Sequence, residues 1–437
     1  MIQTLSNYTR EITPFTFRFI SLLVCIIYFS VFEVSAQNMD NVDSSQKQVL
    51  IDTGKKYFMP DVVHARHMGW TNGGNKYFTY QLGFAPIIDY SAFIQDNDSK
   101  QQVGKQENQG DLRSLRISIR GNINFKRPWH YFISAGHNGL DYDPGTQNKW
   151  NFTDLYFIIP VGMLGDLTVG KIKEPFVYEM VGDAANLPQT ERILNPFFVN
   201  RNIGFRLNKS FLNDRMTASA GLFNDWFMKG QSFSESANTF AARVTALPIY
   251  EDNGRRFVHI GASVRYLEAE NGVLRYKGRN ESNVSSYYVD TKDFPASRSW
   301  NFGFEQLWSI DNFSLLSEYV HAWANTPKGT QQFKGYYFTG SWVISGEQRP
   351  YDKKAAYARR IKPVGKGGAW EVAARISQVN LNGRDVQGGL LDKMYLGLNW
   401  WASTRWRISF GYGASNLNKD GLIGVTNSFI WRLQWIY

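Results

Sequence analysis

The last eleven residues, Asn427 to Tyr437, constrain the fold more than any other stretch of the chain. Phe429, Trp431, Leu433, Trp435 and Tyr437 share one parity; Ser428, Ile430, Arg432, Gln434 and Ile436 share the other. A period of two sets these groups on opposite faces of a β-strand. One face is large, apolar and aromatic, and the other is mostly polar and carries an arginine. A soluble antiparallel sheet shows a similar alternation when its apolar face meets a core. Trp at two positions, and a bare aromatic residue at the end, fit a lipid-facing barrel strand better, because aromatic girdles mark the interfaces of such barrels.

The same pattern recurs upstream. Leu115, Ile117 and Ile119 oppose Ser114, Arg116, Ser118 and Arg120, and Ile203, Phe205 and Leu207 oppose Gly204, Arg206 and Asn208. Val244 opposes Arg243, Val264 opposes Arg265, Ala374 opposes Arg375, and Ile408 opposes Arg405 and Arg407. Segments of about ten residues with this alternation predict an all-β, transmembrane antiparallel β-barrel of about 16 strands, bacterial single-chain barrels having even numbers. Beyond the N-terminal region no stretch approaches 18 consecutive apolar residues, and in lipid only helices and closed barrels satisfy every backbone polar group. Hairpin turns are expected at Asp311-Asn312, Ala402-Ser403-Thr404 and Asn213-Asp214, on the periplasmic side. Longer polar stretches, 96–110, 139–149, 177–202, 268–298 and 353–368, are expected outside or folded inward.

Residues 1–36 read as a signal peptide. Arg10 and Arg18 precede the apolar run Phe19 to Phe32, and Val34-Ser35-Ala36 offers a small-residue cleavage site before Gln37. Residues 37–76 alternate little and form an expected N-terminal extension, with the barrel taking 77–437. The sole cysteine, Cys25, falls in the signal, which excludes a disulfide framework and a cysteine metal site from the mature chain. The formal charge of +10 is unchanged by removing Arg10, Arg18, Glu11 and Glu33. In a soluble protein it would point to nucleic acid; in a barrel it points to an anion path or anionic headgroups, and no nucleic-acid partner is expected.

The polar parity holds Arg116, Arg120, Arg206, Arg243, Arg265, Arg375, Arg405, Arg407 and Arg432, with Glu371 the clear acid among those positions. A charged side chain facing lipid at the midplane costs about 2–4 kcal/mol, so these arginines should face the lumen. Rows of one charge sign in a confined channel concentrate the opposite ion, and arginine rings favour anions and phosphate.

These residues sit within a wider likeness. Gly335-Tyr-Tyr-Phe-Thr-Gly-Ser-Trp-Val-Ile-Ser-Gly-Glu-Gln-Arg-Pro-Tyr351, Gly368-Ala-Trp-Glu-Val-Ala-Ala-Arg375 and Leu396-Gly-Leu-Asn-Trp400 resemble hallmarks of the phosphate-selective porins O and P. Val169-Gly-Lys-Ile-Lys-Glu-Pro-Phe176 with Glu191-Arg192 resembles that family's strand and pore-folded loop. The resemblance covers about 78–437. It implies a 16-stranded, usually trimeric outer-membrane porin whose lumen is lined by arginine and lysine and constricted by the loop after Phe176. Of the family's constriction cations only Arg113 and Arg192 are kept. The stretch Leu82-Gly83-Phe84-Ala85-Pro86 lacks an arginine, His130 follows Trp129 in place of a lysine, and Met180 and Asp183 occupy the loop. A general anion or small-solute porin fits this set better than a tight phosphate site.

The expected function is passive diffusion of phosphate or other small anionic and polar solutes, with Arg113, Arg116 and Arg192 at the constriction and Arg405 and Arg407 further along the wall. Outer-membrane lipid and a homotrimeric assembly are the expected partners. The alternative is an accessory barrel subunit that binds other envelope proteins and conducts little. No cofactor, metal or enzyme activity is expected. His64 and His67 form a weak pair, Asp141-Tyr142-Asp143 reads as a solvated turn, and no nucleophile elbow or phosphate-binding glycine loop is present. Lys277 and Arg279 read as solvated external charge.

Overall fold

A computed structural model describes residues 72–137, 150–224 and 238–437. Sixteen long strands form its wall: β1 Thr79–Gln95, β2 Gln109–Ile123, β3 Trp129–His137, β4 Trp150–Pro160, β5 Asp166–Ile172, β6 Asn202–Phe211, β7 Met216–Phe223 and β8 Thr239–Glu251. They continue as β9 Arg256–Glu268, β10 Arg298–Ile310, β11 Phe313–Thr326, β12 Gly329–Val343, β13 Ala369–Asn382, β14 Gln387–Trp401, β15 Trp406–Lys419 and β16 Leu422–Trp435. Each pairs antiparallel with the next, and β1 pairs antiparallel with β16, from Ile87 opposite Gln434 to Gln95 opposite Thr426. The barrel is therefore closed and leaves no sheet edge between β1 and β16. The expected signal, most of the extension, His64, His67, 139–149 and the Asp141–Asp143 turn lie outside the described residues. The end of the expected extension, Asn72–Gly74, adds a short strand beside β1.

The alternation sorts as read. On β16, Trp431 and Leu433 are 44% and 40% exposed, whereas Arg432 and Gln434 are 2% and 1%. Outward aromatics gather near both rims. Trp406 stacks on Trp435 at 5.5 Å and Trp370 on Trp400 at 5.8 Å toward the end that carries the C-terminus. Tyr266, Trp300 and Trp323 form the matching group toward the other end, with Tyr266 4.8 Å from Trp300. Apolar rings so exposed would be costly in water and are at home in lipid.

Tight turns at Leu212–Arg215, Asp311–Asn312 and Ala402–Arg405 lie at the C-terminal end, as expected, and Leu212, Asn213, Asp214 and Asp311 take positive φ there. Short connections also occur at the opposite end, at 327–328, 383–386 and 420–421. The long segment 344–368 belongs to the C-terminal end, so it is not an external loop as one reading allowed; it folds inward. From the other end 173–201 and 269–297 also fold inward.

The main apolar core consequently lies inside the barrel. Phe176, Tyr178, Leu194 and Phe197 of the 173–201 loop pack with Val320, Phe333, Tyr337, Val379 and Leu391 of the wall. Gly335 on β12 makes room for this: a Cβ there would stand 2.9 Å from both Leu194 and Phe197.

Candidate constriction and anion path

Two kinds of arginine line the inner face, and they differ in what they touch. The first kind holds loop 173–201 against the wall. Arg113 binds Glu191 through Nε at 2.5 Å and Nη2 at 3.0 Å. It reaches inward because the β1–β2 register shifts between Ile87 and Asp89, a bulge that re-aims the β2 side chains beside it. Arg432 binds Asp89 at 2.6 Å and Glu191 at 2.6 Å, and donates to the Thr190 carbonyl. Arg375 pairs with Glu179 at 2.7 Å and with Glu281 at 2.9 Å, while its guanidinium lies 3.9 Å from the centre of the Tyr337 ring. Arg407 donates to the Leu187 carbonyl at 2.7 Å and Asn399 to that of Pro188 at 2.8 Å. Arg192, on the loop itself, donates to the carbonyls of Glu179 and Gly182.

Acids are more plentiful than the strand parity suggested. Asp89, Asp154, Glu305 and Glu318 come from β1, β4, β10 and β11, strands outside the arginine-bearing alternations. Glu174, Glu179, Glu191 and Glu281 come from the loops. Arg265 pairs with Glu174, Arg201 with Asp154, and Arg243 with Glu305, which His259 also contacts at 2.8 Å. Glu318 caps the short helix Tyr178–Val181, accepting from the backbone N–H of Glu179 at 2.9 Å and from the Tyr337 hydroxyl at 2.6 Å.

The second kind stands on the wall from β2 to β6. Arg116 makes no ion pair with an acid among the described residues; its charged neighbours are Arg201, Asp154, Asp183 and Arg113. Arg120 donates to the Gln81 amide oxygen at 2.6 Å, and Arg206 donates to the Lys173 carbonyl at 3.0 Å. Across from them Lys173 pairs with Asp183 at 2.7 Å, and Arg360 of segment 344–368 lies near Asp183, Tyr357 and Arg120. Six cations, Arg116, Arg120, Lys173, Arg201, Arg206 and Arg360, thus share this region with two carboxylates, Asp154 and Asp183. Burial opposes charge on Asp183, but Lys173, Arg116 and Arg201 hold its carboxyl below the usual range. Burial outweighs Asp183 at Lys173 and lowers that ammonium to about 8. At Glu191 burial again opposes ionisation, and Arg113 and Arg432 overcome it, lowering the carboxyl to about 2.

Two expectations are corrected. Arg405 is not on the lumen wall: it occupies the turn before β15, with its guanidinium 4.6 Å from the centre of the Tyr437 ring. Lys277 and Arg279 are not external charge, because 269–297 crosses the lumen. Arg279 is buried and donates to the Ser285 carbonyl, Ser282 meets Ser91 on β1, and Tyr288 donates to Thr426 on β16. Sequence reasoning missed Lys173, Arg201 and Arg360. Lys173 and Arg201 bracket the inward loop, a position that could have singled them out; Arg360 carried no signal.

The barrel resembles solved outer-membrane structures. An anion-selective porin from Comamonas acidovorans superposes with a TM-score of 0.55 at 10% identity, covering 82% of this chain and 100% of that one. The outer membrane channel DcaP of Acinetobacter baumannii gives 0.52 at 11% identity, covering 83% of this chain and 99% of that one. At such identities the likeness concerns the fold. In sequence, Porin O of Pseudomonas aeruginosa is 28% identical over 158 residues, covering 31% of this chain and 35% of that porin, so the match spans about a third of the relative's length. A family model, phosphate-selective porin O and P, matches residues 81–422. The chain belongs to the phosphate-selective porin O and P family and is an integral β-barrel of the outer membrane.

Proposed function

We propose that this porin passes small anions, phosphate among them, by passive diffusion between loop 173–201 and the wall from β2 to β6. The supporting observation is the excess of six cations over two carboxylates in that region. On the wall from β2 to β6, the guanidiniums of Arg116, Arg120 and Arg206 hold no carboxylate of their own among the described residues. In a narrow, partly dehydrated passage such an excess raises local anion concentration, and several shared weak contacts allow release where one tight site would trap the ion. Arg113, Arg192, Arg375, Arg407 and Arg432 act on permeation indirectly, by fixing the loop that narrows the passage. The signal at 1–36, the extension from 37 and assembly as a homotrimer complete the proposal.

The test is the zero-current potential of the purified protein in planar bilayers under a KCl gradient. Arg116→Ala with Arg206→Ala should lower the chloride-to-potassium permeability ratio severalfold while leaving a folded barrel. An unchanged ratio removes this wall from the mechanism.

One observation favours a second reading, an accessory barrel with little conductance: three segments, 173–201, 269–297 and 344–368, fold into one lumen. Absence of channels, together with stable co-purification of unrelated envelope proteins, would select it.

A further inference from the structure

Arg407 on β15 is 0% exposed, yet only its Nη1 is used, in the bond to the Leu187 carbonyl; Nε and Nη2 have no partner among the described residues. The charged groups facing it are Arg432, Glu371 and Arg349. Arg432 is satisfied by Asp89 and Glu191. Glu371 is committed to Arg349 and also accepts from the side chains of Asn399 and Trp401. Two guanidiniums, Arg349 and Arg407, therefore share one carboxylate. A buried charge without a counter-charge is strongly disfavoured. Trp401 gives some compensation, its ring centre 4.9 Å from the Arg407 guanidinium, but a π-face carries no net negative charge and does not satisfy the two free N–H groups.

The groups beside it, where the loop meets strands β14 to β16, are polar as well. Ser409 follows Arg407 on the same inner face, and Gln434 stands directly opposite Arg407 on β16. The Ser409 hydroxyl and the Gln434 side-chain oxygen are buried and have no hydrogen-bond partner among the described residues. An amide oxygen or a water can accept from Arg407, but neither supplies the missing negative charge.

We propose that this buried polar cluster binds one small inorganic anion, held by Arg407 Nε and Nη2 and by the Ser409 hydroxyl. The ion lies behind the loop, apart from the cationic wall of β2 to β6, and it pins residues 185–190 to the barrel. Its role is structural, and it does not depend on whether the passage conducts.

Crystals of the mature protein prepared in bromide, with data collected at the bromine edge, and others prepared in phosphate, test the site directly. The expected result is an anomalous peak for a halide, or tetrahedral density for an oxyanion, within hydrogen-bond distance of Arg407. Density for water alone, or none, overturns the proposal, as does an anion found only at Arg116 or Arg206. In solution the thermal unfolding midpoint in detergent should rise saturably with chloride over gluconate at matched ionic strength. Arg407→Gln should lose that rise, and Ser409→Ala should shift it to higher chloride; a wild-type midpoint indifferent to the anion counts against the site. Should Arg407→Gln fail to fold, the wild-type crystals and midpoints still decide.

Discussion

Glu191 carries two buried guanidiniums on one carboxylate, Arg113 from β2 and Arg432 from β16, and so ties the constriction loop to both sides of the barrel seam. Removing one partner of a buried ion pair typically costs about 3–5 kcal/mol, because the other charge stays buried. Glu191→Gln leaves Arg432 with Asp89 but strips Arg113 of its carboxylate, so a loss of about 3 kcal/mol is expected in urea unfolding followed by tryptophan fluorescence. The acid dependence has a definite sign. The folded carboxyl lies at about 2, below the ordinary 4.5, so its contribution is complete above about 4.5 and is lost as the pH falls toward about 2. The variant should show a shallower acid transition across that window. An identical transition in both proteins would mean that Glu191 does not carry the linkage.

At the scale of elements, loop 173–201 behaves as an interior core element that happens to lack strand structure. Its apolar side packs on β11 to β14, its carbonyls accept from wall side chains, and its short helix is capped by Glu318. Gly335 is where β12 admits Leu194 and Phe197, and Gly335→Val should overpack that contact at a cost of about 1–3 kcal/mol. Single-channel recordings should then show larger or noisier openings as the loop is displaced; an unaltered conductance would indicate that this contact does not set the passage. The strands themselves were legible from period-two alternation, as β15 and β16 illustrate. The partners of their arginines were not. Asp89 sits at a bulge that breaks simple parity, and Glu179, Glu191 and Glu281 come from segments with no periodicity to say where they fold. Arg405 was misplaced for a related reason: alternation continues across a turn in sequence, while the strand starts one residue later, at Trp406.

For the whole molecule, a closed wall with aromatic rims fixes where the protein resides, and the interior charge distribution sets what it can pass. Most interior cations among the described residues are neutralised, so selectivity depends on the charge balance that remains, and Lys173, balanced by Asp183, is a cation whose charge is titratable near physiological pH. Burial lowers its ammonium to about 8. It is therefore largely protonated at pH 7 and neutral at pH 9, when Asp183 loses the partner that balances it. Raising the pH through this range should thus reduce the chloride-to-potassium permeability ratio, since one positive charge disappears and one negative charge is uncovered. Lys173→Met removes the titrating group, and its ratio should begin low at pH 7 and stay nearly flat to pH 9. Asp183→Asn removes the opposing charge together with the partner that keeps Lys173 protonated, so the fall of the ratio should move to lower pH than in the wild type. If the wild-type ratio does not change between pH 7 and pH 9, ions do not pass Lys173, and the passage must lie elsewhere in the barrel.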